Sequence, residues 1–258
     1  MLSKLNGTLR SKVEFCDNVQ LRYGMRPTNL CERCDGCGAG FSVDHALSCR
    51  KGGLVVQRHD DARDEAGSLA ANALTPSRVS YEPHIFYGRG VSAGIEAEDT
   101  SRVGSNVARD EARGDIAVHG LWEKGKTCIL DIRITDTDAK SYAGSSSAKV
   151  LEKAAKVKKD KYEAPCIARR RTFTPLVYSV DGMACKEALA FEKRLACLMA
   201  TKHERRYSEM VGFVRARMSL AVIRSNTLVL RGARVGRAFR PEILDGAAFS
   251  AMEGVQEW

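Results

Sequence analysis

The stretch of sequence that decides the fold begins at Arg113 and reads RGDIAVHGLWEKGKTCILDIRITDTDAKSYAGSSSAKVLEKAAKVKKDKY, ending at Tyr162. Two segments rich in β-favouring residues, 115–119 and 127–135, predict strands, and the Glu-Lys-Gly-Lys sequence between them predicts a hairpin-type turn. The lysine-rich segment 147–163 repeats apolar residues at helical spacing and predicts a helix. We therefore expect two paired strands followed by a basic helix.

The acidic residues of the two strands fall on defined faces. Side chains of a strand alternate between the two faces of the sheet, so Asp131 and Arg133 point one way while Leu130 and Ile132 point the other. Fifteen residues lie between Asp115 and Asp131, and the two side chains converge if the strands pair as a hairpin. Two carboxylates suit a hard cation such as Mg²⁺, which can activate a water molecule and offset charge on a phosphodiester.

The helix supplies a cation for the same place. Leu151, Ala155, Lys158 and Tyr162 recur at positions i, i+4, i+7 and i+11, which share one helical face. Lys158 is therefore expected to face the sheet, and Lys161 lies near the same edge. A lysine-rich helix is usually a solvated face and acidic residues are common in strands, but the three features in this order favour cleavage of phosphodiesters.

The rest of the chain predicts an α/β protein. Its elements follow the order helix, strand, strand, strand, helix, strand, which is typical of helices packed around a small mixed sheet. Outside the stretch quoted above, the predicted helices are 13–21, 54–74, 183–203 and 206–225, and the predicted strands are 78–86 and 172–180.

A cysteine and histidine cluster lies upstream. The pattern Cys34-x₂-Cys37-x₇-His45-x₃-Cys49 places four metal-ligating side chains at spacings that fit tetrahedral Zn²⁺. Cys31 is a further candidate, because Cys31 and Cys34 form an alternative pair. Unrelated free cysteines are the competing interpretation. A zinc ion in such a cluster is structural, and modules of this kind either contact nucleic acid or stabilise a fold.

The composition narrows the class of protein. No run approaches the roughly 18 apolar residues that a membrane span needs, and the first residues lack the apolar core of a signal peptide. Nine cysteines in such a chain favour a reducing compartment, the nucleus or the cytosol, with no membrane partner and no disulfide framework.

The charge of the chain points to a polyanionic partner. The formal charge is +9, and the segment 149–171 alone holds nine Lys and Arg against three Asp and Glu. We expect this segment to contact nucleic acid. The candidate side chains are Lys153, Lys156, Lys159, Arg169, Arg170 and Arg171.

Together these residues resemble a known family. The chain is similar to the restriction-enzyme-like endonuclease region of site-specific non-LTR retrotransposon polyproteins. The resemblance lies in the tripeptide Arg113-Gly114-Asp115, then Asp131, then Lys158-x-x-Lys161-Tyr162, with a Cys-Cys-His-Cys knuckle before them. That region is a branch of the PD-(D/E)XK nucleases, and the resemblance covers residues 15–198. It implies a PD-(D/E)XK core with an N-terminal zinc knuckle and C-terminal helices. It also implies Mg²⁺-dependent nicking of target DNA for primed reverse transcription.

Two departures from the family pattern affect the assignment of roles. Gly114 stands where the family has proline, and Arg133 stands where many PD-(D/E)XK enzymes have a lysine; arginine is a poor proton shuttle. The resemblance therefore assigns the catalytic cation to the helix, as Lys158 or Lys161, beside the metal ligands Asp115 and Asp131. Arg133 is a further catalytic candidate. The preceding helix of this family sometimes adds an acid, for which Asp61, Asp64 and Glu65 are the candidates, and an ordinary solvated helix face is the favoured alternative for these three residues.

The resemblance also implies an organisation and a partner. We expect a leader at 1–26, the zinc knuckle at 27–53, a nuclease domain at 54–203 with a mobile loop at 88–114, and a C-terminal helix and basic tail at 204–258. The expected partner is DNA, with element RNA as a second candidate. Two alternatives stay open: a catalytically decayed, zinc-containing nucleic-acid-binding protein, and a structural zinc protein without a nucleic-acid role.

Overall fold

The order of helices and strands follows the prediction apart from one short helix, Val43–Ser48, that was not predicted. The structure, a computed structural model, describes residues 11–85 and 113–234. The helices are α1 (Lys12–Arg22), α2 (Val43–Ser48), α3 (Leu54–Ala73), α4 (Ser147–Ala168), α5 (Lys186–Lys202) and α6 (Tyr207–Arg231). The strands are β1 (Val79–Tyr81), β2 (Ile116–His119), β3 (Thr127–Thr135) and β4 (Thr172–Ser179).

The four strands form one mixed sheet in the order β1-β2-β3-β4. The pairs β1–β2 and β2–β3 are antiparallel, whereas β3 and β4 are parallel and connected through α4. The predicted hairpin is confirmed, with Ile116 opposite Leu130 and His119 opposite Thr127. The chain is therefore α/β, with a small mixed sheet flanked by helices.

Helices cover both faces of the sheet. Ile116, Leu130 and Ile132 pack into a core shared with α3, α5 and α6, because the side chains of alternate strand residues point to that face. On the opposite face, Ile129 of β3 and Tyr162 of α4 belong to a second apolar cluster. Asp131 is adjacent to Leu130 and Ile132 and so faces α4.

Several predicted boundaries were wrong. The helix expected to end at residue 163 continues through Pro165 to Ala168, because a proline in the last turn removes only one helical hydrogen bond. The last helix extends to Arg231, six residues beyond the predicted end at 225. The strand expected at 78–86 is limited within the described residues to Val79–Tyr81.

The last helix belongs to the main core. Val214, Met218 and Val222 of α6 are fully buried among residues of α3, α5 and the sheet. Most of the loop predicted at 88–114 lies outside the described residues, as do 1–10 of the predicted leader and 235–258 of the predicted tail. In the described ranges, none of the helices combines the length and the apolar character that a bilayer span requires.

Candidate functional site

The cysteine and histidine residues are positioned by two short local structures. A tight turn carries Cys34 and Cys37: the main-chain N–H of Cys34 donates to Ala39 O at 2.8 Å, and that of Gly38 donates to Cys34 O at 2.8 Å. Gly38 has φ +74°, a left-handed conformation that favours glycine. Helix α2 carries His45, and Cys49 follows its last residue.

Four ligand atoms converge between these two structures. The side-chain ligand atoms of Cys34, Cys37, His45 and Cys49 all lie within 4.8 Å of one another. Cys34 Sγ is 3.9 Å from Cys49 Sγ, and Cys37 Sγ is 3.4 Å from His45 Nε2. Tetrahedral zinc with Zn–S bonds of about 2.3 Å and Zn–N bonds of about 2.0–2.1 Å separates two sulfurs by about 3.8 Å, and sulfur from nitrogen by about 3.6 Å. The cluster can therefore hold a metal such as zinc.

The chemistry of Cys34 suits the same role. Burial opposes ionisation of this thiol, but hydrogen bonds with the His45 side chain and with the main chain at Gly36 and Cys37 lower the pKa of Cys34 to about 6. Cys34 is then a thiolate at neutral pH, which is the form that binds metal. Cys31, the further candidate, is exposed and does not belong to the group of converging ligand atoms, and its alternative pairing with Cys34 stays a prediction.

The predicted carboxylates meet at the end of the hairpin. Asp131 lies in β3 with 4% of its surface exposed, and Asp115 lies directly before β2, where its N–H donates to Leu130 O at 3.0 Å. The Oδ2 atom of Asp115 accepts a hydrogen bond from the main-chain N–H of Ile132. Burial raises the pKa of Asp131 and the nearby charge of Asp115 raises it further, whereas Lys158 and His59 lower it. A second cation would relieve this repulsion.

The two candidate lysines of α4 differ in position. Lys158 Nζ lies 2.6 Å from Asp131 Oδ2, in an ion pair that only the packing of α4 on the sheet can form. Lys161 is exposed, and its Nζ lies 5.0 Å from the centre of the Tyr162 ring. Arg133 is half-buried and, by strand alternation, shares the face of Asp131. Lys158 is therefore in direct contact with a predicted metal ligand.

A histidine that the sequence did not single out completes the cluster. His59 Nε2 is 3.2 Å from Asp115 Oδ2, and His59 Nδ1 is 3.3 Å from Asp60 Oδ1. The hydrogen bond with Asp115 is the main cause that raises the pKa of His59, and burial opposes it. A signal was present, because His59 shares a helical face with the buried Ala62 and Ala66, where a polar residue needs a partner.

The acids expected from α3 have other partners. Asp61 accepts a hydrogen bond from Ser225 of α6 at 3.0 Å, and Glu65 forms an ion pair with Arg217 of α6 at 2.7 Å. Asp64 pairs with its neighbour Arg63 at 2.9 Å. The acid of α3 that is connected to the carboxylate cluster is therefore Asp60, because His59 contacts both Asp60 and Asp115.

The residues predicted to contact nucleic acid do not share one environment. Lys153, Lys156, Arg169 and Arg170 are exposed. Arg171 instead donates to the main-chain oxygen of His84 at 2.9 Å, and Lys159 forms an ion pair with Glu187 at 2.6 Å. The surface around Lys159 is mixed in charge; it is lined by Glu152, Lys156, Lys159, Asp160, Glu163, Lys186 and Glu187.

Gly114 has a steric role that the sequence did not predict. The residue is buried beside Pro83, and a Cβ atom built on it would overlap the Cγ2 atom of Ile129. Glycine at this position is therefore required by the close approach of the chain to β3, and it is more than a tolerated substitute for the family's proline.

Comparisons with known proteins do not place the chain in a family. No family model matches it, and a search of curated proteins also gave no match.

Proposed function

We propose that this chain is a metal-dependent DNA endonuclease of the PD-(D/E)XK type, from the C-terminal part of a retroelement polyprotein, that nicks target DNA for primed reverse transcription. The observation that carries the proposal is the cluster of Asp115, Asp131 and Lys158. Two carboxylates at adjoining positions of a hairpin, with a half-buried lysine from the following helix in contact with one of them, are groups that suit hydrolysis of a phosphodiester. The resemblance of the sequence pattern adds the element type and the substrate.

The donor set fits a hard cation. Asp115 and Asp131 offer only oxygen ligands, which Mg²⁺ prefers. Asp115 and Asp131 would therefore be the residues that hold the cation. When bound, Mg²⁺ supplies an activated water and offsets charge at the scissile phosphate.

The remaining residues of the cluster have distinct roles in this proposal. Lys158 is the cation assigned to stabilise charge on the phosphate or to orient the attacking water. His59 acts as a positioning residue, since its hydrogen bond and the N–H of Ile132 fix the orientation of the Asp115 carboxylate. Side chains held by such outer contacts present their ligand atoms at a lower entropic cost.

The cysteine and histidine cluster is proposed to hold a structural zinc. Cys34 and Cys49 are buried in an apolar cluster with Leu230 at the end of α6. The buried Arg234 guanidinium lies 5.2 Å from the centre of the Phe41 ring, and it also donates to the main-chain oxygen of Val229. A metal in this cluster would therefore fasten the N-terminal segment to the last helix.

Nicking of supercoiled plasmid DNA in the presence of Mg²⁺ tests the proposal. We expect Asp115→Asn and Asp131→Asn to lose about a thousandfold in rate, since metal-stabilised charge is worth several kcal/mol in the barrier. Asp160→Asn is the matched control, because this acid lies on the mixed-charge surface of α4. Equal rates for the wild type and both cluster variants, or no cleavage by the wild type, would contradict the proposal.

The second candidate function is a catalytically decayed nucleic-acid-binding protein. Arg133 favours it, because an arginine there cannot shuttle protons as a lysine can. DNA retention that falls with salt, without cleavage in Mg²⁺ or Mn²⁺, would select this function.

A further inference from the structure

A groove of about 590 Å³ lies at the end of the sheet where the parallel strands β3 and β4 stop. Its walls come from α1, α2, α6 and the segments that follow the two strands. Asp136, which lines it, is five residues beyond Asp131, or about 16 Å along an extended strand. The groove is therefore separate from the carboxylate cluster. The carboxyl ends of parallel strands are a frequent place for ligand binding in α/β proteins.

The interior of the groove is apolar. Val43 and Leu47 of α2, Val180 after β4 and Ile223 of α6 contribute to its lining. At its edge, Phe15 and Met25 expose 60% and 50% of their surface, which is much for large apolar side chains. Exposed apolar residues grouped around a concave surface mark interaction sites.

The rim of the groove is acidic. Four carboxylates line it, those of Asp44, Asp136, Asp138 and Asp181. Burial raises the pKa of Asp136, and the charges of Asp138 and Asp44 raise it further. In a chain of formal charge +9, this concentration of negative charge is the opposite of the overall balance.

Basic side chains offset only part of that charge. Arg22 and Arg26 also line the groove. The Arg26 guanidinium, however, donates to the main-chain oxygens of Phe41 at 3.3 Å and Cys31 at 3.5 Å. The buried Arg58 adds a positive charge that lowers the pKa of Asp136. The four carboxylates of the lining therefore face two guanidinium groups of the lining and the nearby Arg58, and Arg26 is already engaged with the cysteine-rich segment.

An acceptor in the groove wall lacks a donor. Asn226 of α6 is 1% exposed and lines the groove; its Nδ2 donates to the main-chain oxygen of Val180. The Oδ1 atom of Asn226 is buried and accepts no hydrogen bond from the described part of the chain. Because this atom has no exposed surface, a partner in the groove would not reach it, and the apolar lining and the carboxylates carry the docking site.

We propose that this groove docks a basic amphipathic helix of a partner protein. Apolar side chains of that helix would enter the groove, and its Lys or Arg side chains would pair with the carboxylates of the rim, as in other helix-in-groove complexes. Nucleic acid is excluded as the occupant, because the carboxylates repel phosphates. This surface goes beyond the proposed endonuclease activity and does not depend on it.

Fluorescence anisotropy with a defined peptide tests the docking site on the full chain. The probe is a labelled peptide of about 18 residues, about 27 Å long as a helix, with leucines on one face and lysines on both sides of it. We expect binding that weakens with salt and that falls at least about tenfold in Asp136→Asn with Asp138→Asn. The matched control is Glu123→Gln with Asp160→Asn, which removes the same charge outside the groove and should bind as the wild type does. Phe15→Ser should weaken binding without opening the core.

Specific outcomes would overturn the proposal. They are no binding to the wild type, equal binding of a peptide with glutamates in place of the lysines, or equal affinity for the two double variants. A photo-crosslinker placed at position 15 distinguishes the occupants. A crosslink to the peptide supports the proposal, whereas a crosslink that the peptide does not displace, to a second copy or to another segment of the same chain, overturns it.

Discussion

The cysteine-histidine cluster and the Asp115–Asp131 cluster both gather charged or metal-ligating side chains, but the chain assembles them in different ways. The first takes all four ligands from residues 34–49, in one turn and one short helix. The second takes Asp131 from β3, Asp115 from the start of β2, Lys158 from α4 and His59 from α3. The first cluster can therefore be predicted from the spacing of its residues in the sequence. The second cluster forms only when α3, the sheet and α4 pack together.

This difference explains how well each cluster was predicted. The four converging side chains follow from spacing, since few geometries satisfy it, and the additional candidate Cys31 lies outside the converging group. In the carboxylate cluster, strand and helix periodicity predicted faces for Asp131 and Lys158. Neither periodicity indicates which residue of α3 stands beside Asp115, and that residue is His59.

The largest expected effect concerns the local cluster. Cys34→Ser should abolish metal binding at one ion per chain and lower the free energy of unfolding by several kcal/mol, because metal binding contributes directly to folding. The measurements are metal content by mass spectrometry and thermal unfolding with and without a chelator. Cys31→Ser is the matched control and should keep the metal. Equal damage from both substitutions would contradict the assigned ligand set.

The next effect separates the two candidate catalytic lysines of α4, Lys158 and Lys161. Lys158→Met should lower the Mg²⁺-dependent nicking rate by about 100-fold or more, because it removes the cation that contacts Asp131. Lys161→Met should stay within a few-fold of the wild type, and circular dichroism checks that both variants fold. The opposite order of rates would return the catalytic role to Lys161.

Removing the histidine contact should have an intermediate effect. His59→Ala takes a hydrogen bond from Asp115 and should lower the nicking rate about 10- to 100-fold while shifting the Mg²⁺ dependence to higher concentration. His59→Gln, which can still donate, should recover part of the rate. An unchanged Mg²⁺ dependence in His59→Ala would show that this residue does not position a metal ligand.

Gly114→Ala should destabilise the hairpin by about 1–3 kcal/mol, because the added Cβ meets Ile129 and overpacking has costs of this size. Gly212→Ala is a suitable control, since a Cβ there meets open space. Urea unfolding of both variants measures the difference. Equal midpoints for the two would contradict the steric role assigned to Gly114.

The smallest effect is a pH dependence of the local cluster. Since the pKa of Cys34 is lowered to about 6, its thiolate is present at neutral pH, and its contribution to metal binding is lost as the pH falls through about 6. Below about pH 6, protonation of Cys34 should cost about a further tenfold in affinity per pH unit, or about 1.4 kcal/mol per proton. This cost is in addition to the loss from Cys37, whose pKa is raised. Titrations with Co²⁺ at several pH values between about 5 and 8, followed by the absorption of the bound ion, measure this loss of affinity. Affinity that is constant down to pH 5 would contradict the ionisation assigned to Cys34.

The sequence by itself determined the α/β order of elements, the hairpin, the face of α4 that meets the sheet and the four local metal ligands. It could do so because strand alternation, helical spacing and ligand spacing act over a few residues. Only the tertiary structure decided that Lys158 contacts Asp131, that His59 holds Asp115, that Asp61 and Glu65 turn to α6, and that an acidic groove opens beyond β3 and β4. These outcomes depend on which helices pack together, and the packing is determined by burial of apolar side chains from the whole core.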